Sequence, residues 1–228
     1  MNKFPRSAYV HIPFCHRRCF YCDFAVIPLG NKVETLQGYG SKTVKEYLHF
    51  LYKEILSIKH KSSLSTIYVG GGTPSILDPQ QIKQLIDLFK ENYGVDYGAE
   101  ITMEVDPASF NLDDLHGFIN AGINRFSLGV QSFNNQILQK SGRRHLREDA
   151  EKSCLWLKKV YSAGLIKSWS LDLIQNLPLS GLREWKEDLK KAITFSPPHI
   201  SIYDLNIENG TVFKKLVNLG KLQLPSDE

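Results

Sequence analysis

One pattern recurs along the chain: a short β-rich run ends in polar or glycine residues, and an amphipathic stretch follows it. Six runs carry it: AYVHIP (8–13), TIYVGGG (66–72), EITMEVDP (100–107), RFSLGVQS (125–132), WSLDLIQNLP (169–178) and HISIYDLNIE (199–208). Between them, apolar residues recur at helical spacing: Val44, Leu48, Leu51, Ile55 and Ile58; then Ile82, Leu85, Ile86 and Phe89; then Leu112, Leu115, Phe118 and Ile119; later Leu182, Trp185, Leu189 and Ile193. Asp78 with Pro79 opens the second helix, and Asn111 and Gly122 bound the third. Strands alternating with helices predict parallel pairing through right-handed crossovers. Six units fit an open doubly wound sheet or a partial barrel. No G-x-G-x-x-G opens the first helix, which weighs against a dinucleotide fold.

In a barrel, the working residues collect where the strands end. A three-cysteine run follows the first strand, and GGGTP (70–74) closes the second. Glu104 and Asp106 close the third, Gln131 and Ser132 the fourth, and Asp172 lies within the fifth. Solubility alone does not choose one end of a sheet, so a shared site at that mouth is expected.

The three cysteines are Cys15, Cys19 and Cys22, spaced C-x3-C-x2-C. Disulfide partners, zinc ligands, a catalytic thiol with neighbours and an iron–sulfur cluster all merit consideration. The N-terminus MNKFPRSAYVHIPF has no signal-peptide core, so a reducing cytoplasm is expected, where stable disulfides are rare. Structural zinc wants four ligands, and here His11 or His16 would have to supply the fourth. A cubane cluster held by three thiolates leaves one iron open to a small amino-acid-like ligand. Cys154 shares helical spacing with Ala150, Leu157 and Tyr161 and reads as core.

The glycines of GGGTP let backbone approach a ligand, their N–H groups are candidates for binding it, and Thr73 adds a hydroxyl. Glu104 suits an amine or ribose, Gln131 and Arg143 a carboxylate or sugar, and Asp172 a ribose. A net charge of +4, scattered over helices, gives no nucleic-acid signature. No stretch of about 18 apolar residues exists to span a membrane.

With these residues in place, the chain resembles the radical S-adenosylmethionine (SAM) enzymes. AYVHIPFCHRRCFYCDF, IYVGGGTPSIL, EITMEVDP, GINRFSLGVQSFN, GRRH and LDLIQNLP are similar to the oxygen-independent coproporphyrinogen III oxidase group over about residues 8–213. Phe24 stands where oxidases of that group carry a further cysteine, and the first strand begins by about residue 8 without their N-terminal extension. The resemblance is therefore to the heme-chaperone branch.

It implies an α/β fold, a partial (β/α)6 barrel of the radical SAM kind over residues 1–213, with residues 214–228 opening a truncated C-terminal region. It implies a [4Fe–4S] cluster on Cys15, Cys19 and Cys22, with SAM contacted by Tyr9, Tyr21, Gly71, Gly72, Thr73, Glu104, Gln131, Arg143 and Asp172. A side chain at Gly72 is expected to bar SAM while sparing the cluster. The implied role is to bind heme and pass it to an acceptor protein, with SAM cleavage left open. The alternatives are oxidative decarboxylation of a porphyrinogen's propionates and a zinc-stabilised binding module. An electron donor is implied as a partner, and a homodimer is allowed for. Nucleic acid and transmembrane insertion are not expected.

Overall fold

The computed structural model describes residues 5–30, 39–58 and 62–225. Its elements are β1 (Ser7–Ile12), β2 (Phe14–Cys15), β3 (Ile27–Pro28), α1 (Tyr39–Ser57), β4 (Leu64–Gly71), α2 (Pro79–Asn92), β5 (Val95–Val105), α3 (Leu112–Ala121), β6 (Arg125–Gln131), α4 (Asn135–Lys140), α5 (Arg147–Ser162), β7 (Ser168–Gln175), α6 (Leu182–Thr194), β8 (His199–Asp204) and α7 (Val212–Asn218). Six strands are hydrogen-bonded in the order β1-β4-β5-β6-β7-β8. The β1–β4, β4–β5 and β7–β8 pairs are parallel. This is the α/β architecture that the strand–helix alternation predicts.

Residues group into two compact units. The first gathers the chain up to His16, Val26–Glu104 and Ser109–Phe126. Its core is built from β1 and β4 (Val10, Ile12, Ile67, Val69) and from α2 and α3 (Ile82, Leu85, Ile86, Leu115, Phe118), all buried. α2 packs against both α1 and α3. Asp78 and Gln81 form a reciprocal capping box at the start of α2, as Asn111 and Asp114 do at α3. Gly122 ends α3 at φ 110°, a left-handed C-terminal stop.

The second unit gathers Arg17–Ala25, Val105–Ala108 and the chain from Ser127. Its core holds Leu128, Val130, Trp169, Leu171, Leu173, Ala150, Cys154 and Leu157. Cys154 is wholly buried, and burial pushes its thiol up to about 12, as befits a core residue. A smaller cluster joins Ile137, Leu177, Phe213 and Leu222.

The sequence reading differs from the structure at several element boundaries. β5 begins at Val95, not near residue 100, because the strand is irregular: the partner register jumps from Leu64↔Val95 to Thr66↔Glu100. The segment VDYGAE spanning that jump has no period-two pattern to betray it. β7 stops at Gln175, where Asn176 takes φ 61° ahead of Leu177–Pro178, and β8 stops at Asp204. The expected α1 stripe runs one residue too far, for Ile58 lies past the helix and is exposed.

The larger difference is α6. Leu182 and Ile193 stay 66% and 64% exposed, while Asp188 and Ala192 are buried. The carboxylate of Asp188 accepts from Ser132 Oγ at 2.7 Å and from the Phe133 N–H at 2.7 Å. A polar group with two such bonds can face inward, and it turns the apolar stripe aside.

Within the first unit, Asn124 closes the turn between α3 and β6. Its Oδ1 accepts from the Ile101 N–H at 2.9 Å, its Nδ2 donates to the Ala99 carbonyl at 2.8 Å, and its own N–H donates to the Ile101 carbonyl at 3.0 Å. Asn124→Ala removes both side-chain bonds from a partly buried site and is expected to cost roughly 1–3 kcal/mol. Urea unfolding measures it; a change below about 0.5 kcal/mol, the scale of an ordinary surface substitution, would refute this role.

Candidate functional site

In the first unit, the end of β4 and the start of the following turn are wired to the β1–β2 segment. Gly71 takes φ 118°. A Cβ there would come within 2.7 Å of His11 Nδ1. Its N–H donates to Glu104 Oε2 at 3.1 Å. The Gly72 N–H donates to the Ile12 carbonyl at 2.9 Å, and the Thr73 N–H to the Phe14 carbonyl at 2.7 Å. The Thr73 hydroxyl donates to Cys15 Sγ at 3.5 Å.

These contacts bear on two expectations. The N–H groups of Gly71, Gly72 and Thr73 are engaged by the protein itself. A Cβ at Gly72 would meet the Phe14 carbonyl oxygen at 2.6 Å and Cys15 Sγ at 2.9 Å, so this glycine makes room for the cysteine strand. A substitution there strikes Cys15 first. Sequence reasoning missed this because a glycine that admits a ligand and one that admits neighbouring backbone are spelled alike.

Glu104 accepts from the Tyr68 hydroxyl at 2.8 Å as well as from Gly71. Tyr9 is exposed and stacks on Tyr68, with ring centroids 6.0 Å apart. Its hydroxyl lies 3.2 Å from His11 Nδ1. Burial, and then the Glu104 charge, push the Tyr9 phenol up. The first unit thus brings together Tyr9, Cys15, Gly71, Gly72, Thr73 and Glu104 of the expected site.

The second unit holds Cys19, Tyr21, Cys22, Gln131, Arg143 and Asp172. Three tethers dock its cysteine loop on the turn after α4: Arg17 Nε donates to the Gly142 carbonyl at 3.0 Å, Arg17 Nη2 to the Arg143 carbonyl at 2.6 Å, and the Phe20 N–H to the Ser141 carbonyl at 3.0 Å. Gly142, at φ 76°, lies under the Phe20 ring, which a Cβ would approach to 2.7 Å.

Arg143 reaches back into this loop. Its Nη1 donates to Cys19 Sγ at 3.5 Å, and its Nη2 pairs with Asp106 and donates to the Gly129 carbonyl at 2.8 Å. Burial opposes the charge, but Asp106 and Cys19 outweigh it and hold the guanidinium above the usual arginine value. Tyr21 is pushed up by burial and then by Cys19, and its ring packs on Phe213. Gln131 takes φ 68°, and its Nε2 would lie 3.0 Å from a Cβ at Gly129. Asp172 accepts from Ser127 Oγ at 2.8 Å, and Ser127 in turn lies 2.9 Å from Ser170 Oγ.

Asp106 and His145 were not on the expected list. The sequence marks Asp106 only as a strand end, yet it is the counter-ion of Arg143. His145 is buried; its Nε2 donates to the Val130 carbonyl at 3.1 Å, leaving Nδ1 to accept from Arg143 at 3.2 Å. Burial and the adjacent Arg143 charge lower its pKa to about 4.

All four cysteines are free thiols. Cys15 and Cys19 accept hydrogen bonds at sulfur, from Thr73 and Arg143, the arrangement that suits thiolate ligands of a soft metal. The donor set therefore fits an iron–sulfur group by its chemistry. Among the described residues, no three His, Cys, Asp or Glu side chains converge as a ready metal site.

Comparison with known proteins adds three findings. Residues 9–174 match the model of the radical SAM superfamily. The heme chaperone HemW of Synechocystis sp. is 41% identical over 225 residues, 98% of this chain and 53% of the relative; that of Lactococcus lactis is 36% identical over 98% and 55%. The structure of coproporphyrinogen III oxidase (HemN) from Escherichia coli, a radical SAM enzyme, superposes with a TM-score of 0.81 at 30% identity, covering 98% of this chain and 49% of that one. The fold is thus the partial barrel of that enzyme. The chain spans about half the length of the curated relatives it matches.

Two outcomes follow from the geometry. His145 stays neutral in the folded chain down to about pH 4, whereas the unfolded chain binds that proton near 6.5. Stability is therefore complete above about pH 6.5 and falls by about 3 kcal/mol as pH drops through that window. Urea unfolding between pH 7.5 and 4.5 should show that slope, and His145→Gln should flatten it; an equal slope in both proteins refutes the assignment. Gly72→Val should lower stability by roughly 1–3 kcal/mol through overpacking, and an unchanged unfolding midpoint would contradict the contact with Phe14 and Cys15.

Proposed function

Because the chain belongs to the radical SAM superfamily, we propose that Cys15, Cys19 and Cys22 hold a [4Fe–4S] cluster that binds SAM, and that the protein handles heme as a HemW-like chaperone. The observation that carries this reading is the C-x3-C-x2-C run of free thiols within the matched segment. When bound, such a cluster supplies one electron for reductive cleavage of SAM; the protein contributes binding, orientation and exclusion of water.

Tyr9, Tyr21, Glu104, Gln131, Arg143 and Asp172 are the proposed SAM contacts. Gly71, Gly72 and Thr73 shape the site by seating Cys15 and orienting Glu104. Glu104 has its two oxygens held by Tyr68 and Gly71, so its carboxylate is pre-oriented before a ligand amine or hydroxyl arrives.

The chaperone reading draws on the HemW relatives, 41% and 36% identical, against 30% for the oxidase structure. Phe24, where the oxidases carry a further cysteine, leans the same way. The oxidase, acting on porphyrinogen propionates, is the second reading and rests on the match to HemN. Under the first reading the partners are heme, an electron donor and a heme-acceptor protein. Four free cysteines suit a reducing compartment, so the cytoplasm is the proposed setting. No described helix is long and apolar enough to cross a membrane.

Anaerobic reconstitution should load about four irons per chain. Alanine at Cys15, Cys19 or Cys22 should abolish the cluster, and Cys154→Ala should retain it. Zinc in place of iron would favour a structural binding module and sink the proposal. Glu104→Ala should weaken SAM binding by roughly 1.5–3 kcal/mol while leaving iron content unchanged; equal SAM affinity would remove Glu104 from the site. Incubating the reduced protein with SAM and either heme or coproporphyrinogen III separates the two functions. A heme absorption shift without decarboxylation is expected, and stoichiometric propionate loss would promote the oxidase.

A further inference from the structure

The Arg143 guanidinium is the one cation whose hydrogen bonds are divided between a cysteine sulfur and a partly buried carboxylate among the described contacts. Its side chain is only 10% exposed. The Nη2 end is fixed on three sides, by Asp106, the Gly129 carbonyl and His145 Nδ1. That leaves Nη1 aimed at Cys19 Sγ, 3.5 Å away. The sulfur is held in turn: Arg17 and Phe20 bind the loop on either side of Cys19 to Ser141, Gly142 and Arg143. Donor and acceptor are therefore both built in, and the planar fork of arginine suits this double engagement where a lysine would not.

We infer that Arg143 is a positioning residue for the iron–sulfur site: clamped by Asp106, it donates to the Cys19 sulfur, orients that ligand and raises the reduction potential of the bound cluster. The inference rests on the cluster assignment proposed above. One-electron reduction by an external donor such as dithionite adds a negative charge to the cluster, from the 2+ to the 1+ state. A cation and an N–H hydrogen bond at a ligand sulfur favour the reduced form. Asp106 works in the opposite direction, as an anion that both aims the guanidinium and offsets part of its charge.

Two substitutions give opposite signs. Arg143→Lys keeps a cation for Asp106 but takes the donor away from Cys19. Asp106→Asn keeps the donor at Cys19 and removes the anion. A purely structural role for the pair would move neither potential, or both in one direction. The reconstituted full chain is titrated with dithionite in the absence of SAM, following the reduced cluster by electron paramagnetic resonance. Iron content is measured first, and circular dichroism checks the fold.

At a fixed potential near the wild-type midpoint, the reduced-to-oxidised ratio should fall about tenfold in Arg143→Lys, which is 59 mV for a one-electron couple. It should rise several-fold in Asp106→Asn. A folded Arg143→Lys chain that retains little iron would also support the orienting role. If Arg143→Lys does not fold, Asp106→Asn decides alone.

Reduced-to-oxidised ratios within threefold of wild type in the folded variants would overturn the inference. So would a tenfold loss of SAM affinity in Arg143→Lys with an unshifted midpoint, because the guanidinium would then act on SAM and not on the cluster. A wild-type chain that binds no iron fails the cluster assignment, whereas one that binds iron with unmoved potentials fails this inference alone.

Discussion

A guanidinium withdrawn from water needs a counter-charge and partners for its N–H groups. Arg143 meets most of that need through Nη2, with Asp106, the Gly129 carbonyl and His145, while its Nε is buried without a hydrogen-bond partner. Each partner comes from a different part of the second unit: the end of β5, the middle of β6 and the loop before α5. The ion pair therefore does more than neutralise charge. It joins segments that are distant in sequence and leaves Nη1 to donate to the cysteine loop. Removing Asp106 would leave the nearly buried guanidinium without its counter-charge.

The same economy appears in the first unit, where backbone does the joining. Gly72 and Thr73 donate their N–H groups to the carbonyls of Ile12 and Phe14, so β4 and the β1–β2 segment extend their pairing past the regular sheet. Cys15 is carried along with that segment. Its surroundings are set by glycine's lack of a Cβ and by the Thr73 hydroxyl.

Much of this was legible in the sequence. Alternation of strand-like and helical runs predicted the parallel α/β sheet, and the caps at Asp78 and Asn111 and the stop at Gly122 lie where local chemistry placed them. Strand ends delivered the polar residues, because that is where parallel strands hand over to loops. What could not be read was partnership. Asp106 and His145 look ordinary in sequence, and only tertiary contact with Arg143 gives them a role. The glycines of GGGTP suggested room for a ligand, and at Gly71 and Gly72 the missing Cβ also lets the β1–β2 segment pass close by. The α6 stripe misled because apolar spacing was assumed to mark the buried face, while Asp188 held that face through Ser132 and Phe133. Burial patterns in sequence presume that polar residues stay outside, and they fail where a carboxylate finds two donors.

Cys154 lies wholly inside the second unit with its thiol pushed up to about 12. At neutral pH the thiolate, the form that attacks disulfides and oxidants, is then a vanishing fraction of that side chain. Only Cys15, Cys19 and Cys22 remain for such chemistry. Their number is odd. Should air strip the protein of metal, one internal disulfide uses two of them and leaves a third sulfur unmatched. That third sulfur has no mate among the four cysteines of this sequence, so oxidative damage there is directed to small thiols or to another cysteine-bearing chain.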